Sequence, residues 1–295
     1  MMKKSFNDII VNIFSWACAL MLALSICLII GFLAVKGYGA LNAELIFSGT
    51  NPIDALLLKQ QVFDGLFPAI AGTLLLVCLS MVFAVPLGLC TGIFMAEYAS
   101  EGIRRIFSLV FDILAGLPSI VVGLFGFSIT VFMHHYLSAK IFPCLLIASL
   151  SLCFLVLPYI IRTTQISLES VPLSVRLTGP CLGADKLENI MWVLIPSSMP
   201  GILSGIILAI GRCAEDTAVI MLTGAVATAG VPESVFSGFE ALPFYIYNTA
   251  AEYSGPEQLA KGYGAAVILL IICSCLFAVS HLIRTKLAVH TGYRG

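Results

Sequence analysis

The sequence predicts an all-α integral membrane protein with six transmembrane helices. Hydrophobic residues make up 60% of the 295-residue chain and charged residues 11%, whereas about 25% of the residues in a soluble domain are charged. The mean hydropathy is +1.05. The apolar runs are long and continuous, unlike the alternating segments of roughly 10 residues that build a membrane barrel, so we expect helical spans.

Six apolar runs are long enough to cross about 30 Å of hydrocarbon at about 1.5 Å per helical residue. They are predicted at about Ile13–Val35, Leu66–Ala96, Ile106–Met133, Ile141–Ile161, Pro200–Ala225 and Gly262–Ile283. The first run exceeds the roughly 7–15 apolar residues of a signal peptide, so we expect it to be retained. Pro86 and Pro118 lie inside two of the runs, where proline bends a helix.

Lysine and arginine are distributed unevenly between the segments that connect these runs. With the N-terminus in the cytoplasm, the cytoplasmic segments hold ten basic residues and the outer segments hold four. Because cytoplasmic loops are enriched in Lys and Arg, this distribution predicts that both termini are cytoplasmic.

Three connecting segments are long enough to form structure outside the lipid. The first outer loop, Lys36–Gly65, is polar and is a candidate for a short helix. The inner segment, Arg162–Ser198, is the largest cytoplasmic piece. The last outer loop, Val226–Lys261, carries four glutamates and a cluster of aromatic residues, and it is either a hairpin that dips toward a partner or a solvated loop.

Between Pro180 and Pro196 the inner segment has the pattern of an amphipathic helix, with apolar and polar side chains on opposite faces. The apolar set is Leu182, Leu187, Ile190, Met191 and Leu194, and the polar set is Asp185, Lys186, Glu188 and Asn189. Gly183 permits a sharp turn or a close backbone approach near its start. Such a helix lies along the membrane surface or inserts into a groove on a partner, and periodicity alone does not decide between these two positions.

An arginine lies near the middle of the fifth predicted span. Placing Arg212 there costs about 2.5–3.5 kcal/mol on membrane-insertion scales, so it needs a partner or a function. Glu215 and Asp216 follow three and four residues later, on the same helical face. The group is either an internal ion-pair network or part of an anion pathway, in which the guanidinium fork binds the oxygens of the anion. A salt bridge that breaks when the pathway opens satisfies both interpretations.

Three further polar residues belong to this candidate pathway. Asp112 lies in the cytoplasmic part of the third predicted span. Ser119 follows Pro118 near its middle, at a depth similar to that of Arg212, and Ser119 and Thr217 offer neutral donors. The proline either kinks the helix or frees backbone that lines a path, since non-helical backbone at this depth is tolerated only against protein or water.

The inner segment resembles the signature of permease subunits of ATP-binding-cassette (ABC) importers. Gly183 is followed after nine residues by Val193-Leu194-Ile195-Pro196, similar to the family's G-x9-I-x-L-P pattern. The resemblance implies a coupling helix at about 180–192 that docks on an ATPase subunit. Its candidate docking residues are Leu182, Gly183, Ala184, Asp185 and Lys186. The family's Glu-Ala-Ala triplet is absent, and Leu177, Thr178 and Gly179 stand in its place.

Other stretches resemble phosphate permeases, and the last of them resembles an outer-loop motif of the A-type subunit. They are Gly72-Thr73-Leu74 with Pro86-Leu87-Gly88 and Ala96-Glu97-Tyr98-Ala99, Leu114–Gly126, Pro200–Ile210, and Leu242-Pro243 with Ile246-Tyr247-Asn248. The family's fifth span reads Arg-x-x-Gly-Glu-Thr. Arg212 and Thr217 match this pattern, whereas Glu215 and Asp216 replace the glycine and the glutamate. The extra carboxylate makes the local charge less favourable to an anion.

The resemblance implies a subunit of an ATP-driven importer of inorganic phosphate that works by alternating access in a bacterial or archaeal cytoplasmic membrane. Its expected partners, besides phosphate and membrane lipid, are a C-type permease in a heterodimer, two copies of a cytoplasmic ATPase and an extracytoplasmic phosphate-binding protein. No nucleic acid is expected. Residues 1–65 would hold the first helix and the outer loop, residues 66–285 the permease domain, and residues 286–295 a cytoplasmic tail.

The chain is not expected to be catalytic or to bind a cofactor. It has no G-x-x-x-x-G-K-[ST] phosphate loop, so ATP and magnesium would be bound by the ATPase subunits. Its ten cysteines and four histidines lack metal-ligand spacing, and the cysteines are interpreted as packing residues.

Two alternative functions remain open. The same architecture, as a homodimer, suits another oxyanion such as molybdate, tungstate or sulfate. The other class is an ATP-independent channel or a membrane-embedded enzyme. An enzyme needs a nucleophile with its base or clustered ligands in the spans, which the sequence does not show, and a channel has no need for a coupling helix.

Overall fold

A computed structural model gives the structure of residues 6–48, 65–136 and 142–290. Most of these residues are helical. The helices are α1 Phe6–Tyr38, α2 Ala43–Phe47, α3 Phe67–Ile93, α4 Glu101–Ala115, α5 Ser119–Tyr136, α6 Leu145–Glu169, α7 Leu173–Arg176, α8 Thr178–Cys181, α9 Lys186–Asn189, α10 Ile195–Glu215, α11 Ala218–Thr223, α12 Leu242–Glu252 and α13 Pro256–His290. A π-helical turn, Phe94–Tyr98, extends α3, and a second one, Ile190–Leu194, joins α9 to α10.

Six helices in the described residues are long and apolar enough to cross a membrane, which confirms the predicted number. They are Ile10–Tyr38, Phe67–Tyr98, Ser119–Tyr136, Leu145–Glu169, Lys186–Glu215 and Pro256–Lys286. The candidate short helix of the first outer loop is present as α2. Five of the basic residues counted for the orientation lie outside the described residues, namely Lys3, Lys4, Lys59, Lys140 and Arg294.

Helix α6 lies at the centre of the bundle. It contacts α3, α4, α5, α10 and α11. In its most apolar stretch 61% of the residues are buried, a larger share than in any other of the six candidate spans. Its buried side chains join those of α3, α10 and α11 in one apolar core, which includes Leu76, Leu152, Val156, Ala209 and Ile220. The spans α3, α5 and α10 therefore pack around α6, whereas α13 packs on α10 and α1 packs on α13.

The two ends of the bundle carry different segments. One end holds Arg104, Arg176 and Lys186 and is called the basic end. The opposite end, called the far end, is formed by residues 224–255, between α11 and α13. The prediction from the distribution of charge places the basic end in the cytoplasm.

The third predicted span, Ile106–Met133, is wrong as a single helix. The structure has two helices there, α4 and α5, separated by Gly116, Leu117 and Pro118. Proline has no N–H and disfavours helical backbone in the residue before it, which explains a complete break where only a bend was predicted. Both helices contact α6, so they follow one another along the central helix.

The fifth predicted span, Pro200–Ala225, is also wrong in its bounds. The helix begins earlier and runs through Lys186–Glu215. It ends at Asp216, whose backbone is extended (φ −73°, ψ 117°), and α11 follows as a separate helix. Pro196 and Pro200 lie within this helix and do not interrupt it. A π-helical turn, Ile190–Leu194, lies just before Pro196, and its hydrogen bonds join each carbonyl to the N–H group five residues ahead. This pattern suits the position because Pro196 has no N–H group to complete an α-helical bond with the carbonyl four residues before it.

The far end folds back onto the transmembrane helices instead of extending into solvent. The backbone nitrogen of Leu242, at the start of α12, donates a hydrogen bond to Thr73 Oγ1 of α3 at 2.9 Å. The buried carboxylate of Glu240 accepts a hydrogen bond from the backbone nitrogen of Gly230 at 2.9 Å. The first bond attaches the last outer loop to α3, and the second holds the loop together. Whether the loop also meets a partner stays a prediction.

Helix α12 places a tyrosine in this packed region. Burial raises the pKa of Tyr245, its hydrogen bond with Thr249 offsets part of the rise, and the nearby Glu240 carboxylate adds to it. The phenol therefore stays protonated at neutral pH and remains a hydrogen-bond donor at the far end.

Replacing Gly72 with alanine is expected to destabilise the far end. A Cβ atom at this position would overlap the backbone carbonyl oxygen of Glu240, which cannot swing aside as a flexible side chain can. We expect a loss of about 1–3 kcal/mol, the usual cost of overpacking, measured as a lower midpoint of thermal unfolding of the detergent-solubilised protein.

The matched control for this variant is Gly31→Ala in α1. No atom lies within 4 Å of a Cβ atom added at Gly31, so this variant is expected to match the wild type or exceed it. Equal midpoints for the Gly72 and Gly31 variants would contradict the close packing of α3 against Glu240.

Candidate functional site

Arg212 lies in the last turn of α10 and pairs with two carboxylates. Its Nη1 atom is 3.5 Å from Glu215 Oε1, and its Nη2 atom is 3.3 Å from Asp216 Oδ2. The exposed fractions of the three side chains are 36% for Arg212, 62% for Glu215 and 2% for Asp216. The guanidinium therefore has one buried and one exposed partner, and part of its own surface faces outward from this chain.

Although Arg212 stands near the end of its helix, it lies halfway along the bundle. The preceding residue, Gly211, packs against the ring of Phe277 in α13. The following residue, Cys213, is buried near Ser80, which lies at the middle of α3. Arg212 therefore lies at the expected depth. It does so because α10 ends inside the bundle, whereas the sequence predicted a longer helix that continues past Arg212.

The two helix breaks lie next to each other. Gly123 of α5 packs against Val219 of α11, so the starts of these two helices are neighbours. Ser119 is the first residue of α5, and Thr217 immediately precedes α11. The structure thus brings these two predicted pathway residues to adjacent helix starts, next to the end of α10 that carries Arg212.

Asp216 connects the arginine to the break between α10 and α11. Its Oδ2 atom faces Arg212, and its Oδ1 atom accepts a hydrogen bond from the backbone nitrogen of Val219 at 2.9 Å. Aspartate is favoured before a helix because its carboxylate accepts from the first N–H groups, which have no partner inside the helix. The same buried carboxylate therefore starts α11 and holds the guanidinium.

The structure does not bring Asp112 to this group. Asp112 lies in α4 and pairs with Arg162 of α6 at 3.2 Å, and the same guanidinium donates to Ser108 Oγ at 3.2 Å. Arg162 also reaches Gln165 Oε1 at 3.4 Å. Asp112 belongs to a separate polar network between α4 and α6, on the basic side of the helix break.

At the basic end lies a segment that we call the coupling segment, residues 173–189. The single helix predicted over about 180–192 is wrong. The chain turns after α8, where Gly183 has a φ of +85°, a conformation that favours glycine. Asp185 then starts a new helix through a capping box: Asp185 Oδ1 accepts from Glu188 N at 2.7 Å, and Glu188 Oε2 accepts from Asp185 N at 2.9 Å.

Apolar side chains in and next to the coupling segment are exposed. Four of them are more than 60% exposed, namely Leu173, Leu182, Leu187 and Trp192. Ile190 and Leu194, which were predicted on the same face as Leu182, are buried. Clustered exposed apolar side chains mark contacts with protein or membrane, so this surface is available to a partner.

Contacts with the end of the second span hold the coupling segment in place. Arg176 forms an ion pair with Glu97, and the exposed fractions are 26% for the Arg176 side chain and 9% for that of Glu97. Arg176 Nη2 also donates to the carbonyl oxygen of Leu168 in α6 at 3.0 Å. Lys186 Nζ donates to the carbonyl oxygen of Glu97 at 2.6 Å and lies 4.2 Å from the ring centroid of Tyr98.

Sequence reasoning missed this attachment. The stretch Ala96-Glu97-Tyr98-Ala99 is predicted only as part of the resemblance to phosphate permeases, with no link to Arg176. The sequence offers one signal for this contact, namely that Glu97 lies at the basic end of an apolar span. A carboxylate at a helix end next to lipid needs a partner.

The structure also explains part of the departure from the Glu-Ala-Ala triplet. Gly179, the third of the replacing residues, packs directly against Asn189, and a Cβ atom there would overlap Asn189 Oδ1. Asn189 is buried and donates from Nδ2 to the carbonyl oxygen of Arg176 at 3.1 Å. Glycine is therefore favoured at position 179 over the alanine of the triplet, whereas Leu177, in place of the glutamate, is exposed and has no such constraint.

Within the described part of the chain, no group of three or more His, Cys, Asp or Glu side chains is placed to hold a metal ion. His134 and His135 stand at the end of α5. The cysteines are all free, and three of them, Cys144, Cys153 and Cys213, are buried among the helices, as packing residues would be.

Six apolar helices, a segment attached at the basic end with exposed apolar side chains, and an arginine halfway through the bundle define a transmembrane subunit of an ABC importer. Residues 88–289 match the family described as binding-protein-dependent transport system inner membrane component. The chain belongs to this family, whose members are permease subunits of ABC transporters. It is a multi-pass membrane protein.

Curated relatives confirm the predicted resemblance to A-type phosphate permeases. The phosphate transport system permease protein PstA 1 of Mycobacterium tuberculosis is 33% identical over 232 residues, which cover 77% of this chain and 73% of the relative. The PstA protein of Yersinia pestis is 38% identical over 189 residues, 64% of this chain and 60% of the relative. The probable ABC transporter permease protein YqgI of Bacillus subtilis is 25% identical over 284 residues, 92% of both chains.

Solved structures of ABC importers share the fold. A bacterial transporter involved in the import of the acidic polysaccharide alginate matches with a TM-score of 0.66 at 13% identity, over 96% of this chain and 99% of that chain. The inward-facing methionine transporter MetNI matches with a TM-score of 0.57 at 16% identity, over 81% of this chain and 99% of that chain. These likenesses establish the architecture of an importer permease.

Proposed function

We propose that this chain is the permease subunit of an ATP-driven importer that moves inorganic phosphate across the cytoplasmic membrane by alternating access. The observation that carries the proposal is Arg212, a partly exposed guanidinium halfway along the bundle. Its planar fork of donors suits the oxygens of phosphate. Relatives named phosphate transport permeases support this choice of anion.

The two carboxylates beside Arg212 have different roles in this mechanism. Glu215 is exposed, and exposed ion pairs contribute only about 0.2–1 kcal/mol, so phosphate displaces this partner first. Asp216 is buried and hydrogen-bonded to α11, so it remains in place and holds the guanidinium in position. The remaining negative charge keeps phosphate binding weak, which suits a transporter because tight binding would prevent release.

The rest of the pathway lies along the two helix breaks and toward the basic end. Ser119 and Thr217 supply neutral donors beside Arg212 at the adjacent helix starts. Asp112 lies farther toward the basic end, where its partner Arg162 neutralises it. The basic end faces the cytoplasm, together with both termini, so phosphate passes Arg212 before it passes Arg162.

Energy for the movement comes from partner subunits. Two copies of a cytoplasmic ATPase bind ATP and magnesium, this chain binds no cofactor, and the exposed apolar side chains of the coupling segment meet one of the ATPase copies. A C-type permease completes the pathway on the side of the chain where Arg212 is exposed. An extracytoplasmic binding protein delivers phosphate to the far end.

Uptake of radiolabelled phosphate tests this proposal in a bacterial host that lacks its own phosphate importers and expresses the complete complex. We expect uptake that requires ATP. An excess of unlabelled phosphate should reduce this uptake, whereas equal excesses of molybdate, tungstate or sulfate should have no effect. Competition by one of these oxyanions would assign the permease to that anion instead. Uptake that continues after ATP depletion would contradict an importer and support a channel.

A further inference from the structure

We propose that Glu97 is a positioning residue that makes the second span move together with the coupling segment. This inference rests on the proposed importer function. Glu97 lies in the π-helical turn Phe94–Tyr98, which continues α3 at the basic end. Its carboxylate points into the protein, and only 9% of its side chain is exposed. Arg176 and Lys186, from two helices of the coupling segment, contact it directly.

Arg176 is the first link between the coupling segment and the span. Its guanidinium forms the ion pair with Glu97 and donates to the carbonyl oxygen of Leu168 in α6 at 3.0 Å. Its own carbonyl oxygen accepts from Asn189 Nδ2 at 3.1 Å, which connects it to α9. Arg176 thus joins the coupling segment to both α3 and α6.

Lys186 is a second and independent link. It lies in α9, after the turn at Gly183, and donates to the carbonyl oxygen of Glu97 at 2.6 Å. Its ammonium group also lies 4.2 Å from the ring centroid of Tyr98, within the range of a cation–π contact. The coupling segment therefore contacts Glu97 from both sides of its central turn.

The same end of the span is also bonded to α4. Arg104 Nη2 donates to the carbonyl oxygen of Ala96 at 3.1 Å, and its Nη1 atom is 3.5 Å from Glu169 Oε1 in α6. Helix α4 leads directly to the break before Ser119. A displacement of the coupling segment can thus pass through Ala96 and Glu97 to α4, and from there toward the helix starts beside Arg212.

Burial makes Glu97 suitable for this role. If the coupling segment moved without α3, the ion pair would separate and leave a nearly buried carboxylate without its charged partner. Breaking such a pair is much more costly than breaking an exposed one, because the remaining charge keeps its desolvation penalty. The coupling segment and the basic end of α3 are therefore expected to move as one unit.

Glu97→Gln tests the inference in the complete complex reconstituted into liposomes, where the amounts of phosphate transported and ATP hydrolysed are both measured. We expect phosphate moved per ATP to fall at least about fivefold, the lower range of coupling between distant sites, while basal ATP hydrolysis, measured without the binding protein, stays within about twofold of the wild type. A purely structural role would lower the amount of assembled complex and leave this ratio unchanged. An unchanged ratio would overturn the proposal.

Glu101→Gln is the matched control. Glu101 is an exposed carboxylate four positions later, in the first turn of α4, and its variant is expected to keep the wild-type ratio. If Glu97→Gln does not assemble, Arg176→Gln serves instead, because it breaks the same ion pair from the side of the coupling segment. A fall of about threefold in phosphate per ATP supports the proposal, and an unchanged ratio overturns it.

Failure of the positioning role and failure of the proposed function give different results. If the wild-type complex moves no phosphate, the proposed function fails, and the ATPase rate then tests Glu97 by itself. Addition of the binding protein is expected to raise the rate of ATP hydrolysis by the wild-type complex. In Glu97→Gln, we expect the factor of this increase to be at least about threefold smaller. Equal stimulation of both proteins would overturn the positioning role.

Discussion

Arg212→Gln is expected to reduce phosphate uptake about 100-fold. The variant loses the charge and the fork of donors that face the anion, and removing one member of such a charge pair costs about 2–5 kcal/mol. The measurement is the initial rate of radiolabelled phosphate uptake, normalised to the amount of complex in the membrane. Arg212→Lys keeps the charge but not the planar fork, so we expect an intermediate rate.

A double variant separates an anion pathway from an ion pair that only joins helices. Arg212→Gln leaves Asp216 buried with a backbone donor alone, at a cost of about 1–3 kcal/mol in stability. Asp216→Asn in the same chain removes that uncompensated charge and is expected to restore stability without restoring uptake. Recovery of uptake in the double variant would show that Arg212 has only a structural role. Glu215→Gln is the matched control and should retain most of the uptake, because Glu215 is exposed.

Gly183→Val is expected to lower ATP-dependent uptake at least about tenfold while the amount of protein in the membrane stays unchanged. Gly183 has a φ of +85°, where a non-glycine side chain costs about 1–3 kcal/mol and a β-branched one is a strong outlier. No atom lies within 4 Å of an added Cβ atom, so the effect comes from the backbone and not from a steric clash. The turn before Asp185 is then expected to open and to displace α9 from its position at Glu97.

Gly183→Asn is the control for this argument, because asparagine adopts the left-handed conformation more readily than most residues do. Phosphate uptake by Gly183→Asn is expected to lie close to that of the wild type. ATP hydrolysis by the detergent-solubilised complex should likewise be similar for the wild type and Gly183→Asn and lower for Gly183→Val. Wild-type uptake by the valine variant would contradict a role for this turn in coupling.

The number of spans and the ion pair of Arg212 could be predicted from the sequence for simple physical reasons. Crossing hydrocarbon requires long apolar runs, and six of them stand out in this chain. Spacings of three and four residues place Glu215 and Asp216 on the helical face of Arg212, and both carboxylates pair with it. Local spacing was sufficient because all three residues lie within about one turn.

The helix breaks and the attachment at Glu97 could not be predicted in the same way. Apolar residues continue on both sides of Pro118 and of Asp216, so hydropathy does not distinguish two helices from one. The end of α10 depends on the side chain of Asp216, which bonds to the next helix. Glu97 and Arg176 are separated by 79 positions, and a single sequence carries no local signal for such a contact.

The uninterrupted helix Lys186–Glu215 has a mechanical consequence. Thirty residues span about 45 Å, and Gly205 packs against Thr163 of α6 roughly two thirds of the way along, where close contact favours a pivot. Rigid rotation by about 10° around that point moves the end at Lys186 by about 5 Å and Arg212 by about 2 Å in the opposite direction. This unequal lever converts a large displacement at the coupling segment into a small shift of Arg212 relative to the start of α5 at Ser119.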